Sequence, residues 1–146
     1  MDAAQIGNEL TSIVLTTEQI DTRIHEIAAE IDVDYAGAEK PLLMVGVLKG
    51  AVMVMADLAR AVSIPVEFDF MAVSSYGSGT KSSGVVRIIK DLDIDLAGRD
   101  VLIVEDILDS GLTLSWLIKN LKSRHPNSIE VMTMMRKPDA IKIEVP

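Results

Sequence analysis

A run of residues in the second half of the chain combines carboxylates, hydroxyls and a glycine in an order that suits a phosphorylated sugar. Residues 101–104 are apolar, and Glu105 and Asp106 follow them directly. A segment that opens a predicted helix comes next, with Asp109, Ser110, Gly111, Leu112 and Thr113. Hydroxyls, a flexible glycine and helix N-terminal amides can cradle a phosphate, and two carboxylates suit ribose hydroxyls or Mg²⁺. The run therefore predicts a diol or metal site beside a phosphate site.

The same run also has a purely structural interpretation. Asp109 or Ser110 can cap the predicted helix, and Glu105 and Asp106 can be solvated at the end of a strand. Two common phosphate-binding motifs are missing: residues 79–82 lack the adjacent Gly-Lys-Ser/Thr of a P-loop, and no G-x-G-x-x-G occurs. The functional interpretation therefore depends on the whole run and not on any one residue.

The composition narrows the class of protein. A hydrophobic fraction of 49% with 25% charged residues predicts one globular domain over residues 1–146. The absence of Cys excludes a disulfide scaffold and a thiolate zinc site, and it favours the cytoplasm. A net charge of −8 is unsuited to nucleic acid, and Lys49 interrupts the apolar run 42–56, which argues against a membrane span. We expect neither nucleic acid nor membrane as a partner.

Apolar runs alternate with helical patterns along most of the chain. Thr16 and Gln19 have the spacing of a capping box, and a stripe of isoleucines follows on the first helix. Strands are predicted at 10–15, 42–48, 66–73, 85–90, 101–104 and 128–135, and further helices at 50–62 and 111–124. The strands between helices are apolar throughout, which predicts an α/β fold: an open, mostly parallel twisted sheet with helices on both faces. The strands at 65–73 and 85–90 predict an antiparallel excursion, joined by a flexible loop at 74–84.

The 101–113 run resembles the signature of the type I phosphoribosyltransferases. Three further elements occur in the order typical of the hypoxanthine-guanine branch of that family, which acts on 6-oxopurines. They are 47–50 (VLKG), 75–77 (SYG) and 136–138 (RKP). The resemblance covers roughly residues 9–146 and implies the type I phosphoribosyltransferase fold.

The family resemblance implies a reaction and a cofactor. Members of the family move ribose 5-phosphate from phosphoribosyl pyrophosphate to a purine nitrogen, through an oxocarbenium-like transition state, and release pyrophosphate with the help of Mg²⁺. By this resemblance the loop 109–113 holds the 5-phosphate, and Glu105 and Asp106 face the ribose hydroxyls, directly or through Mg²⁺. The residues that the resemblance assigns to pyrophosphate are Leu48, Lys49 and Gly50.

The resemblance also implies how the base is held and how the site closes. Asp109 is expected to be the acid/base near the purine N7, and Lys137 to donate to the exocyclic oxygen of the purine. Ser75 and Tyr76 are expected to belong to a lid, loop 74–84, that keeps water from the reactive sugar. The expected partners are phosphoribosyl pyrophosphate and a 6-oxopurine, in a homodimer or tetramer. The preference among hypoxanthine, guanine and xanthine stays open.

The resemblance carries an expectation about the C-terminus. Family members continue beyond the Lys-Pro element into a segment that recognises the base. We expect that segment to be missing from this chain, and residues 141–145 to form the strand that leads into it. A chain without it is expected to bind phosphoribosyl pyrophosphate with Mg²⁺ but to have weak purine selectivity and low activity.

Two other classes of protein stay open as alternatives. One is a non-catalytic relative that senses nucleotides and regulates a partner or RNA, but the retained Lys49 and Asp109 favour an enzyme. The other is a phospho-receiver domain, whose acidic pair belongs near the start of the chain. Since only 40 residues follow Asp106 here, the receiver is the weaker alternative.

Overall fold

A five-stranded sheet organises the part of the chain that the computed structural model describes, residues 11–76, 85–143 and 145. The helices in these residues are α1 (Thr17–Asp34), α2 (Ala51–Ala61) and α3 (Leu112–Lys122), with a short 3-10 helix at Pro138–Ala140. The strands are β1 (Leu42–Leu48), β2 (Val66–Tyr76), β3 (Val85–Lys90), β4 (Asp100–Leu108) and β5 (Ser128–Arg136). The predicted α/β class is confirmed. None of these helices is both long enough and apolar enough to cross a membrane.

The direction in which strands are added reverses between β1 and β4. The strand order is β3-β2-β1-β4-β5, so β2 lies on one side of β1 while β4 and β5 lie on the other. β1 is parallel to β2 and β4, and β4 is parallel to β5, whereas β3 is antiparallel to β2 as predicted. Parallel sheets bind ligands at such a reversal, beside the carboxyl ends of the strands. We therefore expect a ligand site at the segments that follow β1 and β4.

Each face of the sheet packs against different helices. Helix α3 covers one face, where Leu117 and Leu121 are fully buried against β1 and β4. Helices α1 and α2 cover the other face, where Met55 and Leu58 are buried with Met44 of β1. Burial on both faces explains why β1 and residues 101–104 of β4 are apolar at every position rather than at alternate ones.

Helix α1 begins and packs as its sequence predicts. The Thr16 hydroxyl accepts a hydrogen bond from the Gln19 amide at 3.2 Å, and the Gln19 side chain accepts one from the Thr16 amide at 2.8 Å, which completes the capping box. Ile24 and Ile31 of the isoleucine stripe are buried against the sheet. The stripe is thus the face by which α1 joins the core.

The predictions of strands at 10–15 and 141–145 are wrong for the residues that the structure describes. Residues 11–15 are exposed and lie outside the sheet, and residues 141–143 and 145 are not in a strand. The amides of Lys142 and Ile143 instead donate to the Ser110 carbonyl, at 3.0 and 3.3 Å. Apolar composition was a poor guide in both places because a strand needs a neighbouring strand to complete its hydrogen bonds.

Strand β4 is longer than the predicted strand 101–104 and ends at Leu108. Its second half stays extended because β5 continues to pair with it, from Glu105 opposite Thr133 to Leu108 opposite Arg136. The acidic pair therefore lies within a strand and not after its end.

Strand β2 also runs further than predicted, through Tyr76 instead of ending at Val73. The backbone of 74–76 pairs with β3, and this pairing outweighs the low strand propensity of serine. The remainder of the predicted flexible loop, residues 77–84, lies outside the described residues.

Asp69 ties β2 to the segment that follows β3. Its side chain is 7% exposed, and its carboxylate accepts hydrogen bonds from the amides of Phe70, Asp93 and Ile94 at 2.7, 2.7 and 3.1 Å. Burial alone would raise the pKa of Asp69, but these amides and the charge of Lys90 outweigh it and hold the pKa below its usual 3.8. The ionised carboxylate therefore stabilises this corner of the fold.

We expect Asp69→Asn to lower the free energy of unfolding by about 2–3 kcal/mol at pH 7, since an amide cannot accept from all three buried donors. Because the folded-state pKa is lowered, the stabilisation is complete above the unfolded pKa and is lost as the pH falls through the folded pKa. Urea unfolding at pH 7 and pH 3 measures both effects. Asp93→Asn, which changes an exposed carboxylate, is the matched control and should stay within about 0.5 kcal/mol. Equal stability of Asp69→Asn and the parent chain at pH 7 would contradict the assignment.

Candidate active site

The segments after β1 and in the second half of β4 meet at one edge of the sheet. The pairing of β1 with β4 ends at Gly46 and Val104, and we call the region between the segments beyond these two residues the crevice. Residues 48–50 lie on one side of it, and residues 105–113 on the other. The structure therefore brings the pyrophosphate, ribose and phosphate residues predicted from sequence to the same reversal point.

Glu105 and Asp106 lie on opposite sides of β4, as neighbours in a strand must. Glu105 is on the α3 side, where it lines a cavity, and the Asp106 carboxylate lies against Gly50 at the start of α2. The Asp106 Oδ1 atom also accepts a hydrogen bond from the Ile107 amide at 2.9 Å. Burial, and then the negative charge of Asp106, raise the pKa of Glu105 to about 7. Two full negative charges on Glu105 and Asp106 are therefore unfavourable unless hydrogen-bond donors or a cation lie close to them.

The loop 109–113 leads directly into α3. Gly111 occupies the N-cap position with φ 78°, so the cap is neither Asp109 nor Ser110 as the structural interpretation supposed. The first turn of α3 contains no acidic residue, which leaves the positive end of the helix dipole available to an anion. The Ser110 hydroxyl, although it lies before the N-cap, accepts a long hydrogen bond of 3.5 Å from the Leu112 amide at the start of α3. This arrangement suits a phosphate.

A cavity of about 680 Å³ lies beside this loop. Glu105 and the loop form one wall, and residues 139–142 form the other. This second wall was missed from the sequence: Pro138 indicates a turn, but nothing in the pattern says that the chain folds back onto Ser110. A larger groove of about 890 Å³ lies between α1 and β5, and it contains none of the predicted site residues.

The residues assigned to the purine lie next to each other at the mouth of the cavity. The Lys137 ammonium is 3.7 Å from the Asp109 carboxylate, and the two side chains are 55% and 61% exposed. The Lys137 amide donates to the Leu108 carbonyl at 2.9 Å, which fixes the backbone of the pair. The Asp109 carboxylate, a proton acceptor, and the Lys137 ammonium, a hydrogen-bond donor, thus lie side by side where a flat base can reach them.

The residues assigned to pyrophosphate form the turn from β1 into α2. The Leu48–Lys49 peptide bond is cis, a feature that the sequence did not indicate. Lys49 is exposed, and Gly50 is the N-cap of α2, whose first turn has no acidic residue. The turn therefore brings an exposed cation and the amides of a helix N-terminus to the crevice.

The backbone of Ser75 and Tyr76 extends beyond the same edge. Ala72 is the partner of Leu48, the last residue of β1, and β2 continues for four residues after it. The predicted contacts of the Ser75 and Tyr76 side chains, and residues 77–84 of the predicted lid 74–84, lie outside what the structure describes.

Metal binding by side chains alone has little support in the described ranges. No group of three or more His, Asp or Glu side chains there is arranged to hold a metal ion. The available donors at the crevice are the oxygens of Glu105 and Asp106. Mg²⁺ commonly binds one or two carboxylates and takes its other ligands from substrate phosphates and water, so this donor set fits a cation that arrives with a phosphorylated substrate.

Comparison with known proteins identifies the class and then the branch. The family model of the phosphoribosyl transferase domain matches residues 11–143. The hypoxanthine-guanine phosphoribosyltransferase of Mycobacterium avium is 61% identical over 136 residues, which cover 90% of this chain and 67% of the relative. The Bacillus subtilis protein of the same name is 44% identical, covering 94% of this chain and 76% of the relative. A crystal structure of a Staphylococcus aureus hypoxanthine phosphoribosyltransferase matches with a TM-score of 0.91 at 42% identity, covering 100% of this chain and 78% of that one. The chain belongs to the hypoxanthine-guanine phosphoribosyltransferase family.

Gly111 is the position where the loop is most sensitive to a side chain. A Cβ there would collide with the Ile143 carbonyl and lie 3.3 Å from a Val145 methyl group, besides requiring a left-handed backbone. We expect Gly111→Ala to cost about 2–4 kcal/mol of stability and to weaken phosphate binding, since the left-handed conformation alone costs about 1–2 kcal/mol.

Gly37→Ala is the matched control for Gly111→Ala. Gly37 has the similar φ of 76°, but nothing lies within 4 Å of its Cβ position. Gly37→Ala should therefore lose only the stability that a left-handed backbone costs a residue with a side chain. Its affinity for phosphoribosyl pyrophosphate should be unchanged. Thermal unfolding and a binding titration measure the two variants, and equal losses in both would show that the collision at Gly111 is unimportant.

Proposed function

We propose that this chain transfers ribose 5-phosphate from phosphoribosyl pyrophosphate to hypoxanthine or guanine, giving IMP or GMP and pyrophosphate, in purine salvage. The observation that carries the proposal is the placement of three kinds of group around one crevice. Carboxylates on β4, helix amides and hydroxyls at the start of α3, and the turn 48–50 all lie at the edge of the sheet where the strand order reverses. The membership of the family supports the same reaction.

The geometry suggests how each end of the sugar phosphate is held. The loop 109–113 binds the 5-phosphate through the amides at the start of α3, where the helix dipole favours an anion. Glu105 and Asp106 face the ribose hydroxyls. The turn 48–50 receives the leaving pyrophosphate at the start of α2, with the Lys49 ammonium to balance its charge. Binding at both ends leaves the reacting sugar carbon between them, as positioning for a dissociative displacement requires.

Asp109 and Lys137 act on the base. Asp109 accepts the proton at the purine N7 as the attacking nitrogen loses electron density to the sugar. Lys137 donates to the exocyclic oxygen, and its position 3.7 Å from Asp109 supports contact of both groups with the same edge of a 6-oxopurine. A 6-amino group would present donors to the Lys137 ammonium instead of an acceptor, so adenine should react less well than hypoxanthine or guanine.

We further propose that Mg²⁺ is the cofactor. Its ligands from the protein would be the carboxylates of Glu105 and Asp106, whose mutual repulsion a cation relieves. When bound, the ion would neutralise charge on the sugar phosphate and the leaving pyrophosphate. We also propose, from the family resemblance, that the chain acts in the cytoplasm as a homodimer or tetramer.

A calorimetric titration with phosphoribosyl pyrophosphate tests the binding part of the proposal. We expect saturable binding with Mg²⁺ and at least about tenfold weaker binding with a chelator present. Glu130→Gln, which removes one negative charge in the separate groove beside β5, is the matched control and should bind like the parent chain. Absence of binding in Mg²⁺, or equal binding with and without it, would contradict the proposal.

A further inference from the structure

Gly50 was assigned to pyrophosphate and Asp106 to the ribose, and the two residues lie in direct contact. A Cβ built on Gly50 would have the Asp106 carboxylate as its three nearest atoms, with Cγ at 2.6 Å and Oδ1 at 2.8 Å. Real Cβ atoms do not approach other atoms so closely, so a side chain at position 50 and the present position of Asp106 exclude each other.

The backbone at Gly50 does not itself require glycine. Its φ of −56° and ψ of −42° are those of an ordinary right-handed helix, which any residue adopts. The requirement for glycine is therefore steric, and it comes from a carboxylate on a different element of the sheet.

Asp106 has little freedom to retreat. Its Oδ1 atom accepts a hydrogen bond from the Ile107 amide at 2.9 Å, and its backbone belongs to β4, which β5 continues to pair beyond that point. The contact also places a negative charge at the start of α2, whose first turn has no acidic residue and whose N-cap offers no side-chain hydrogen bond. Charge at that end of a helix is stabilised by the helix dipole.

We propose that Gly50 is a positioning residue for Asp106: its bare Cα lets the carboxylate rest against the start of α2, and this contact couples the pyrophosphate turn to the ribose carboxylates. The proposal rests on the proposed function for its second half. The contact itself is a property of the ligand-free chain and can be tested without substrate.

The first experiment is a thermal-unfolding cycle on the ligand-free chain, with Gly50→Ala made alone and together with Asp106→Ala or Asp106→Asn. We expect Gly50→Ala to lower Tm by about 5 °C or more in the parent chain, because the collision must be relieved. It should lower Tm similarly with Asp106→Asn, which keeps the bulk of the side chain, and hardly at all with Asp106→Ala, which removes it. Gly46→Ala is the control, because its Cβ would meet Met55 and Phe70 and so its effect should be the same in all three backgrounds.

The second experiment is the same cycle on the affinity for phosphoribosyl pyrophosphate in Mg²⁺. Gly50→Ala and Asp106→Asn should each weaken binding about tenfold or more. The double variant should lose much less than the product of the two losses, since both changes act on one carboxylate.

The outcomes test the positioning role of Gly50 and its coupling to substrate binding separately. A Tm loss from Gly50→Ala that is the same with Asp106→Ala overturns the positioning role, and affinity losses that multiply overturn the coupling. If the parent chain fails to bind phosphoribosyl pyrophosphate, the proposed function fails, and the unfolding cycle still decides whether Gly50 positions Asp106.

Discussion

Asp109→Asn is expected to lower kcat by about 10²- to 10⁴-fold while the affinity for phosphoribosyl pyrophosphate stays nearly unchanged. The change removes a proton acceptor but keeps the size and hydrogen-bonding capacity of the side chain. Asp109 lies at the exposed mouth of the cavity, 3.7 Å from Lys137, so the fold has no strong need for its charge. Steady-state assays with hypoxanthine, together with a binding titration of phosphoribosyl pyrophosphate, separate the two effects.

The control for Asp109→Asn is Asp57→Asn, the same chemical change on the outer surface of α2. It should leave both kcat and affinity as they are in the parent chain. If Asp109→Asn stays within a factor of two of the parent in kcat, Asp109 is not the acid/base of this site. A large loss of affinity with kcat preserved would instead make it a binding residue.

Glu105→Gln and Asp106→Asn are expected to weaken binding of phosphoribosyl pyrophosphate in Mg²⁺ by about tenfold or more each, because each removes a charge that holds the ribose or the cation. The ligand-free Glu105→Gln chain should be at least as stable as the parent at pH 8. Burial and the neighbouring Asp106 raise the pKa of Glu105 to about 7, so at pH 8 the parent keeps an ionised carboxyl where the fold favours a neutral one.

For Glu105→Gln, the affinity for phosphoribosyl pyrophosphate should fall while the stability of the ligand-free chain should not. Calorimetric titration should show the loss of affinity, while thermal unfolding at pH 8 should show no fall in Tm for Glu105→Gln. Unchanged affinity combined with a Tm lower by many degrees would mean that Glu105 is a structural residue. Glu67→Gln, which changes a partly exposed carboxylate at the opposite end of the sheet, should leave the affinity unchanged and serves as the control for binding.

The alternation of buried strands and helices was enough to predict most of the fold. Residues 42–48 form β1 over the predicted bounds, because a run with no polar residue can be placed only inside a sheet covered on both faces. The predictions were wrong for segments whose structure depends on whether a neighbouring strand pairs with them. β4 extends to Leu108 because β5 lies beside it, and residues 11–15 lack such a neighbour in the described structure.

The candidate site was predicted in its residue types but not in its contacts. The order of carboxylates, hydroxyls and glycine in 101–113 indicated a phosphate next to a diol, and the fold places these groups in one crevice. The pairing of Lys137 with Asp109, and the contact of Asp106 with Gly50, join residues far apart in the chain. No local spacing can reveal such contacts, since they depend on which strand ends the sheet brings together.

The most direct test of the central claim is to incubate the 146-residue chain with phosphoribosyl pyrophosphate, Mg²⁺ and hypoxanthine, guanine or adenine in turn, and to separate the nucleotide products. We predict slow formation of IMP and GMP with one pyrophosphate released per nucleotide, in excess over AMP, and loss of product in the Asp109→Asn variant. Binding of phosphoribosyl pyrophosphate with no nucleotide formed from any of the three purines would contradict the account and favour a non-catalytic nucleotide sensor.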